Sequence, residues 1–533
     1  MLAPAFRSTL QPGFLSAIST QGERIMRAKV IVVLTFLLFS IPSSGQGGTE
    51  KVLYTFTGGL DGGQPMAGVI FDSVGNLYGV TQYGGAYNQG TVFELSPSPG
   101  GTWTETVLHS FTGGSDGSQP QYNLAIDGSG NLYGGAMSGG ASYCGTLFGL
   151  SPSESGWTFT VLHTFTGGKD DGCGPSSDLF LGGGNYGSGL LGTTGAGGPA
   201  DDGTVFEFSS GTDHIVSFWG TNGDAPTGLG LSGWAVYGTT YAGGRQAGGG
   251  GGVVFEWSFP PNPHIKYKFS TTGKAGFAPC GDLAMQFNAD GLGIMYGTTS
   301  QGGAGNNGTV YQLTQRPSDY PEPPFDTWAI SVPHSFSGAD GDGANPYAGV
   351  VLDTAGNLYG TTVAGGADPG YAGTVFKLTP GAKNKWTETV LYSFSGGNDG
   401  SEPYASVVLD NAGNLYGTTY QGGAYNQGVV YEVTPGAATT TALTSSPNPS
   451  THDQAVTFTA VVASSAGVPP DGETISFLKG KTVLGTGTLS GGSASFTIST
   501  LPNGTHAITA AYGGDQNFAA STSNVVKQVV TKP

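Results

Sequence analysis

Asp353-Thr-Ala-Gly-Asn-Leu-Tyr-Gly-Thr-Thr362 returns downstream as Asp410-Asn-Ala-Gly-Asn-Leu-Tyr-Gly-Thr-Thr419. Asp72-Ser-Val-Gly-Asn-Leu-Tyr-Gly79 and Asp127-Gly-Ser-Gly-Asn-Leu-Tyr-Gly134 match the same unit closely, and weaker copies end at Leu191-Gly192, Tyr237-Gly238 and Tyr296-Gly297. The landmark thus falls at 78, 133, 191, 237, 296, 359 and 416. Self-similarity at such a spacing marks a repeat architecture, in which each unit buries its apolar face against its neighbours.

Each copy predicts four short strands. Gly349-Val-Val-Leu-Asp353 is an apolar run bounded by Pro346 and a turn, as a buried strand should be. Asp-x-x-Gly-Asn predicts a hairpin, because Asp bonds amides beyond it while Gly and Asn tolerate positive φ. Leu-Tyr-Gly-Thr-Thr is the second strand, Gly373-Thr-Val-Phe-Lys-Leu378 the third and Trp386-Thr-Glu-Thr-Val-Leu-Tyr-Ser-Phe394 the fourth. The two ends are out of phase. Val52-Leu-Tyr-Thr-Phe56 is a fourth strand without its three predecessors, and the seventh copy stops at its third strand, Val429-Val-Tyr-Glu-Val433. The first strand can complete the last sheet, which closes a ring and removes an exposed edge. The expected fold is therefore all-β: a seven-bladed β-propeller over residues 50–436, closed by the N-terminal strand. A β-helix would gain nothing from this phase shift.

Glycine supplies 97 of 533 residues without a three-residue period, which excludes collagen. With 36 Asp and Glu against 18 Lys and Arg, the charge of −18 excludes nucleic acid and anionic membrane surfaces as partners. Arg24, Arg27 and Lys29 precede an apolar run from Val30 to Ile41, too short to span a bilayer but suited to a signal-peptide core. Ser43-Ser44-Gly45 supplies small residues for cleavage, so residues 1–45 read as a signal peptide, with Met26 as an alternative start. Cys144, Cys173 and Cys280 are too few for a disulfide scaffold and too far apart for a zinc knuckle. Residues 437–533 change character: Ala455–Val462, Thr474–Leu478, Ala494–Ile498 and His506–Tyr512 alternate at period two, which predicts an Ig-like β-sandwich.

With Gly-Asn-Leu-Tyr-Gly-Thr-Thr, the Gly-Gly loop, Gly-Thr-Val-Phe and Ser-Phe-Ser-Gly-Gly-x-Asp-Gly, the unit resembles the GloVer tandem repeat of exported bacterial proteins. The resemblance spans nearly all of 51–433, with copies three to five departing from it. It implies an extracellular or surface address and brings no established activity or catalytic residues. Leu501-Pro-Asn-Gly-Thr-His-Ala-Ile-Thr-Ala-Ala-Tyr-Gly-Gly-Asp515 resembles the bacterial Ig-like domains of surface proteins, which implies a spacer or adhesion element.

Candidate chemistry is sparse. His109, His163 and His334 occupy a slot before the fourth-strand Phe that holds Tyr54, Tyr267, Tyr392 or Val216 in other copies, so it reads as a packing position. Asp61, Asp116, Asp171, Asp340 and Asp399 precede Gly between one copy and the next. They read as turn residues, or as a ring of oxygen ligands for Ca²⁺ or a polar ligand. Asp72, Asp127, Asp353 and Asp410 read as hairpin caps on the opposite face. Gly84-Gly-Ala-Tyr-Asn-Gln-Gly90 and Gly422-Gly-Ala-Tyr-Asn-Gln-Gly428 are identical and fall in blades that adjoin in a closed ring. Tyr83, Tyr87, Asn88, Tyr420, Tyr425 and Asn426 are the expected shelf for a glycan or extracellular protein ligand. Cys144 and Cys173 share that face and are expected to pair, leaving Cys280 free. No Ser-His-Asp order, phosphate loop or zinc-protease motif stands out. The expectation is a monomeric, non-enzymatic, exported binding or scaffold protein. A polysaccharide-active hydrolase or lyase on the same face is the alternative, with Asp201, Asp202 and Asp224 in the divergent copies as its acidic residues.

Overall fold

A computed structural model describes residues 47–532, apart from 183–188, 210–211, 233–234, 245–249, 259–261, 317–327, 368–370 and 516. The expected signal peptide, residues 1–45, lies outside the described residues.

The hairpin of each clear copy is set by its Asp. In Asp353 one carboxylate oxygen accepts the amides of Ala355 (2.9 Å) and Asn357 (2.8 Å), while the other accepts Asn357 Nδ2 (2.7 Å) and Tyr359 OH (3.1 Å). Asp72, Asp127 and Asp410 repeat the pattern. Burial pushes the Asp353 carboxyl up, but these donors outweigh it and leave it below its ordinary value. They are caps, consumed by their own turns.

Each hairpin joins a short inner strand to a buried second strand. In the first unit Ile70–Phe71, Leu77–Thr81, Thr91–Ser98 and Thr102–Ser110 pair antiparallel in that order. Among the described residues the repeat region holds seven such sheets. The seventh has Val408–Leu409, Leu415–Thr419 and Val429–Pro435, and its outermost strand is Gly48–Thr55, which pairs from Gly48 opposite Pro435 to Val52 opposite Tyr431 and, after a bulge at Leu53, from Tyr54 opposite Val430 to Thr55 opposite Val429. The N-terminal strand thus supplies the last sheet with its fourth member.

The cores show that the sheets form a circle. Apolar clusters join sheet one to two, two to three, three to four, four to five, five to six and six to seven. The remaining cluster joins Phe56, Val69, Leu77 and Phe93 to Tyr416 and Val430, which is seven to one. At every seam the Phe that ends a fourth strand reaches into the next sheet. The ring-centroid distances are 5.1 Å for Phe56–Phe93, 5.1 Å for Phe111–Phe148, 5.3 Å for Phe165–Phe206 and 5.0 Å for Phe218–Phe255. Phe269–Tyr311, Phe336–Phe376 and Phe394–Tyr431 follow at 5.0, 5.2 and 5.0 Å. All seven Phe rings at the strand ends are fully buried.

The C-terminal region packs two sheets. Thr439–Ser446, Val456–Ser464 and Ser493–Ile498 form one; Val526–Thr531, Gly504–Tyr512, Thr474–Lys479 and Thr482–Thr488 run through the other, edged by Ser450–Thr451. Period-two alternation sends Phe458, Ile475, Phe477, Ile508 and Tyr512 into a common core. Among the described residues the sole helical element is a 3-10 turn at Ala382–Asn384, and no helix is long and apolar enough to cross a membrane.

Candidate functional site

Seven prolines aim the chain at the ring's axis. Pro65, Pro120, Pro175, Pro226, Pro279, Pro346 and Pro403 recur once per sheet on the approach to the axis, and the residue before each has φ between 52° and 69°. That corner is uncommon for a side-chain-bearing residue, and hydrogen bonds to the preceding sheet hold it. Gln64 N donates to Gln427 O at 2.7 Å, Gln119 N to Gln89 O at 2.8 Å and Glu402 N to Ala372 O at 2.8 Å. The accepting loop then turns through a glycine. At Gly90, with φ of 100°, a Cβ would lie 2.4 Å from Thr81 O and 2.7 Å from Pro120 Cδ, so no other residue fits.

The residues just after these prolines line an axial cavity of about 210 Å³ to which all seven sheets contribute, including Met66, Gln121, Ser176, Thr227, Cys280, Tyr347 and Tyr404. Asn123, Asp178, Asp282, Gly349 and Ser406 in its wall share one slot, directly before a buried Leu or Val of each inner strand, and Gly68 and Gly228 hold the same slot in sheets one and four. A polar belt runs through it. Asn123 accepts Gly68 N at 2.6 Å and donates its Nδ2 to Asp178 at 2.7 Å, and Asn123 N donates to the other Asp178 oxygen at 2.7 Å. Asp282 accepts Leu229 N at 2.9 Å, and the Asp178 and Asp282 carboxyls hydrogen-bond to each other. Protein surrounds both on every side but the cavity. Burial pushes both above the ordinary carboxyl range, Asp282 further because the Asp178 charge adds to it.

Tyrosines rim the cavity. Tyr347 and Tyr404 stand 5.5 Å apart between centroids and Tyr404 and Tyr420 5.6 Å apart edge-to-face. Tyr83 lies close enough to Tyr420 for its charge to raise the Tyr420 hydroxyl, after burial. Across the cavity Gln301 Nε2 donates to Tyr241 OH at 3.2 Å.

The structure places Tyr83 and Tyr420 in this rim. Tyr87 and Tyr425 are instead 60% exposed on outer turns. The Asn88 and Asn426 side chains accept Gly84 N (3.0 Å) and Gly422 N (3.1 Å), so each caps its own loop. The carboxylates after the fourth strands do not converge. Asp61 accepts Thr57 N and Tyr54 OH, Asp116 accepts Thr112 N and His109 Nε2, and Asp399 accepts Ser395 N and Tyr392 OH. Asp171 does the same with Thr166 N and lies 3.5 Å from His163. Asp340 does not take this role. The loop there is one residue longer, and Asp342 accepts Ser337 N at 2.6 Å and His334 Nε2 at 3.2 Å. The slot before the Phe is thus more than packing: its Tyr or His donates to the loop Asp. Cys144 and Cys173 form a disulfide and Cys280 is free and buried. Asp201 and Asp202 accept Gly197 N and Gly220 N, away from the cavity. Burial raises Asp224, and Asp202 beside it adds to the rise.

Sequence reasoning missed Tyr347, Tyr404, Asp178 and Asp282. Two signals pointed to them: Pro-Tyr recurs at 346–347 and 403–404, and the two Asp break the pattern of their slot.

A ring of antiparallel sheets closed by its own N-terminal strand, with an axial pocket, defines a β-propeller, here followed by an Ig-like sandwich. The chain belongs to the Gloeobacter/Verrucomicrobia repeat family, which matches residues 37–250 and 293–469, and residues 443–531 match the bacterial Ig-like domain (group 3). No curated protein matches the chain. Similar solved structures include an extracellular domain ascribed to a one-component system of B. thetaiotaomicron (11% identity, 90% of this chain and 58% of that one, TM-score 0.42). They also include a GH74 enzyme of Niastella koreensis (13%, 86% and 65%, 0.37) and an exo-β-1,3-galactanase of Phanerochaete chrysosporium (10%, 90% and 99%, 0.31). The chain spans 58% of the length of the first of these.

Proposed function

We propose that the protein is an exported, non-enzymatic binding protein that takes a glycan across the tyrosine rim, with one saccharide unit seated in the axial cavity. The observation that carries this reading is the row Tyr347–Tyr404–Tyr420–Tyr83 beside a cavity with a polar wall. Flat apolar faces suit sugar rings, and hydroxyl tips with the Asn123–Asp178 belt supply donors and acceptors. The carboxyl pair argues against hydrolysis at this site. Glycosidases hold their two carboxyls about 5–9.5 Å apart around the scissile bond, and Asp178 and Asp282 touch. An address outside the cytoplasm is supported by the Ig-like region, by the apolar Val30–Ile41 run and by the disulfide.

The test is a glycan array probed with residues 46–533, followed by titration of the best ligand. Tyr404→Ala should weaken binding at least tenfold without changing the thermal midpoint. Reducing-sugar release from the bound glycan, or binding that ignores Tyr404→Ala, overturns the reading.

A further inference from the structure

We propose that His334, Asp342 and Glu388 form a binding site for a divalent transition metal of the Zn²⁺ class at the seam between the fifth and sixth sheets. His334 lies on Trp328–Ser335, the fourth strand of sheet five; Glu388 lies on Trp386–Ser393, the fourth strand of sheet six; Asp342 sits in the loop that leads from one sheet to the next. His334 Nε2 is 3.2 Å from Asp342 Oδ1 and 3.6 Å from Glu388 Oε2, and one ligand atom from each residue lies within 4.8 Å of the others. A tetrahedral ion with bonds of about 2.0–2.2 Å spaces its ligands roughly 3.3–3.6 Å apart, so the three need little movement to close on a metal. Their side chains keep 15–20% exposure, which gives an ion a path in and leaves a fourth position to water.

Two further features favour an ion here. Glu388 Oε1 is buried without a hydrogen-bond partner, as Glu50 Oε1 and Glu105 Oε1 are in other seams, but here an imidazole stands beside it and a cation held by both relieves the deficit. Asp342 is already oriented by Ser337 N at 2.6 Å, the outer support that metal-binding carboxylates use. The sister seams show what is particular to this one. Tyr54 with Asp61 and Glu105, and Tyr392 with Asp399 and Glu50, build the same arrangement with a phenol in place of the imidazole. His109 with Asp116 has the imidazole, but Phe159 stacks on it at 3.8 Å where the Glu would be. Among the described residues only His334, Asp342 and Glu388 bring three ligand types together.

The experiment is calorimetric titration of the chelator-stripped mature chain with Zn²⁺, repeated with Co²⁺ to read the visible bands of a tetrahedral site. Wild type should take up one equivalent with tetrahedral Co²⁺ absorption. His334→Tyr recreates a seam that the chain already contains twice, so it should fold with an unchanged midpoint and lose that equivalent. Glu388→Gln should weaken binding at least tenfold, and His109→Tyr should change nothing. Absence of saturable binding to wild type, or equal uptake by wild type and His334→Tyr, overturns the proposal.

Discussion

Removing the Phe56 ring tests whether the circle is closed. Phe56 follows the borrowed strand of sheet seven and sits edge-on to Phe93 of sheet one, fully buried, with Tyr54 packed 5.1 Å behind it. Truncating a buried Phe to Ala costs about 3–5 kcal/mol when the cavity cannot collapse, and the closing seam has the same packing as the other six. The Phe56→Ala penalty should therefore equal that of Phe336→Ala, the matching residue between sheets five and six, to within about 1 kcal/mol. In an open stack the same residue would lie on a terminal strand that frays before global unfolding, and its loss would barely register. Urea unfolding followed by intrinsic fluorescence gives both penalties from midpoint and slope. A cost under about 1 kcal/mol at Phe56 beside the full 3–5 kcal/mol at Phe336 refutes closure.

Two other outcomes follow from buried groups. Burial, helped by Asp61, pushes Glu105 up to about 7 from 4.5, so the folded chain holds a proton that the unfolded chain has released. Stability from this group is therefore full below pH 4.5 and lost as pH rises towards 7, and partial exposure limits the loss to about 1 kcal/mol. Glu105→Gln should match wild type near pH 4 and exceed it by that amount at pH 8 in thermal melts; parallel curves would refute the assignment. The Cys144–Cys173 bond closes a segment with a sequence separation of 29. Loop-closure entropy puts its contribution on the order of 3–4 kcal/mol. Reduction should lower the urea midpoint accordingly, and thiol titration should find none in the native chain, one after denaturation and three after denaturation with reduction. A native chain that reacts at Cys280, whose thiol burial raises to about 11, contradicts its placement.

The architecture was legible because the code for it is local and written many times. Asp353 and its three counterparts specify hairpins through contacts within six residues, and the phase of Val52–Phe56 against Val429–Val433 specifies closure. The pocket was harder to read because its geometry is set by seven separated corners. Nothing near Tyr347 says that Tyr404 stands 5.5 Å away, since the two meet through the angle between sheets six and seven. The expected shelf divides for a related reason: Tyr420 packs against Tyr404 while Tyr87 stays exposed on its own loop. Identical loops on adjacent blades suggested a shared surface, but each Asn turns back to cap Gly84 or Gly422. Asp340 was misplaced by one inserted residue, which moves the carboxylate that can reach Ser337 N to Asp342.

Comparison among the seven copies also shows where function can be written into such a ring. The Phe at each seam cannot change, because its ring fills a dry core between two sheets, and only a Tyr replaces the Phe beneath it. The axial slot is different. Five of its members, Asn123, Asp178, Asp282, Gly349 and Ser406, line a cavity, so this backbone position varies without disturbing the seams, and Gly68 and Gly228 hold it in the other two sheets. Even there packing selects some members: a Cβ at Gly228 would lie 2.0 Å from Gly281 O and one at Gly349 2.1 Å from Asp282 O. Those two glycines let the backbones of sheets four to six crowd together, which brings Asp282 within reach of Asp178 across sheet four. The acidic pair thus depends on residues that have no side chain. Gly228→Ala should separate the carboxyls and open the cavity, whereas Gly128→Ala, where nothing lies within 4 Å and φ is not positive, leaves the pocket as it is.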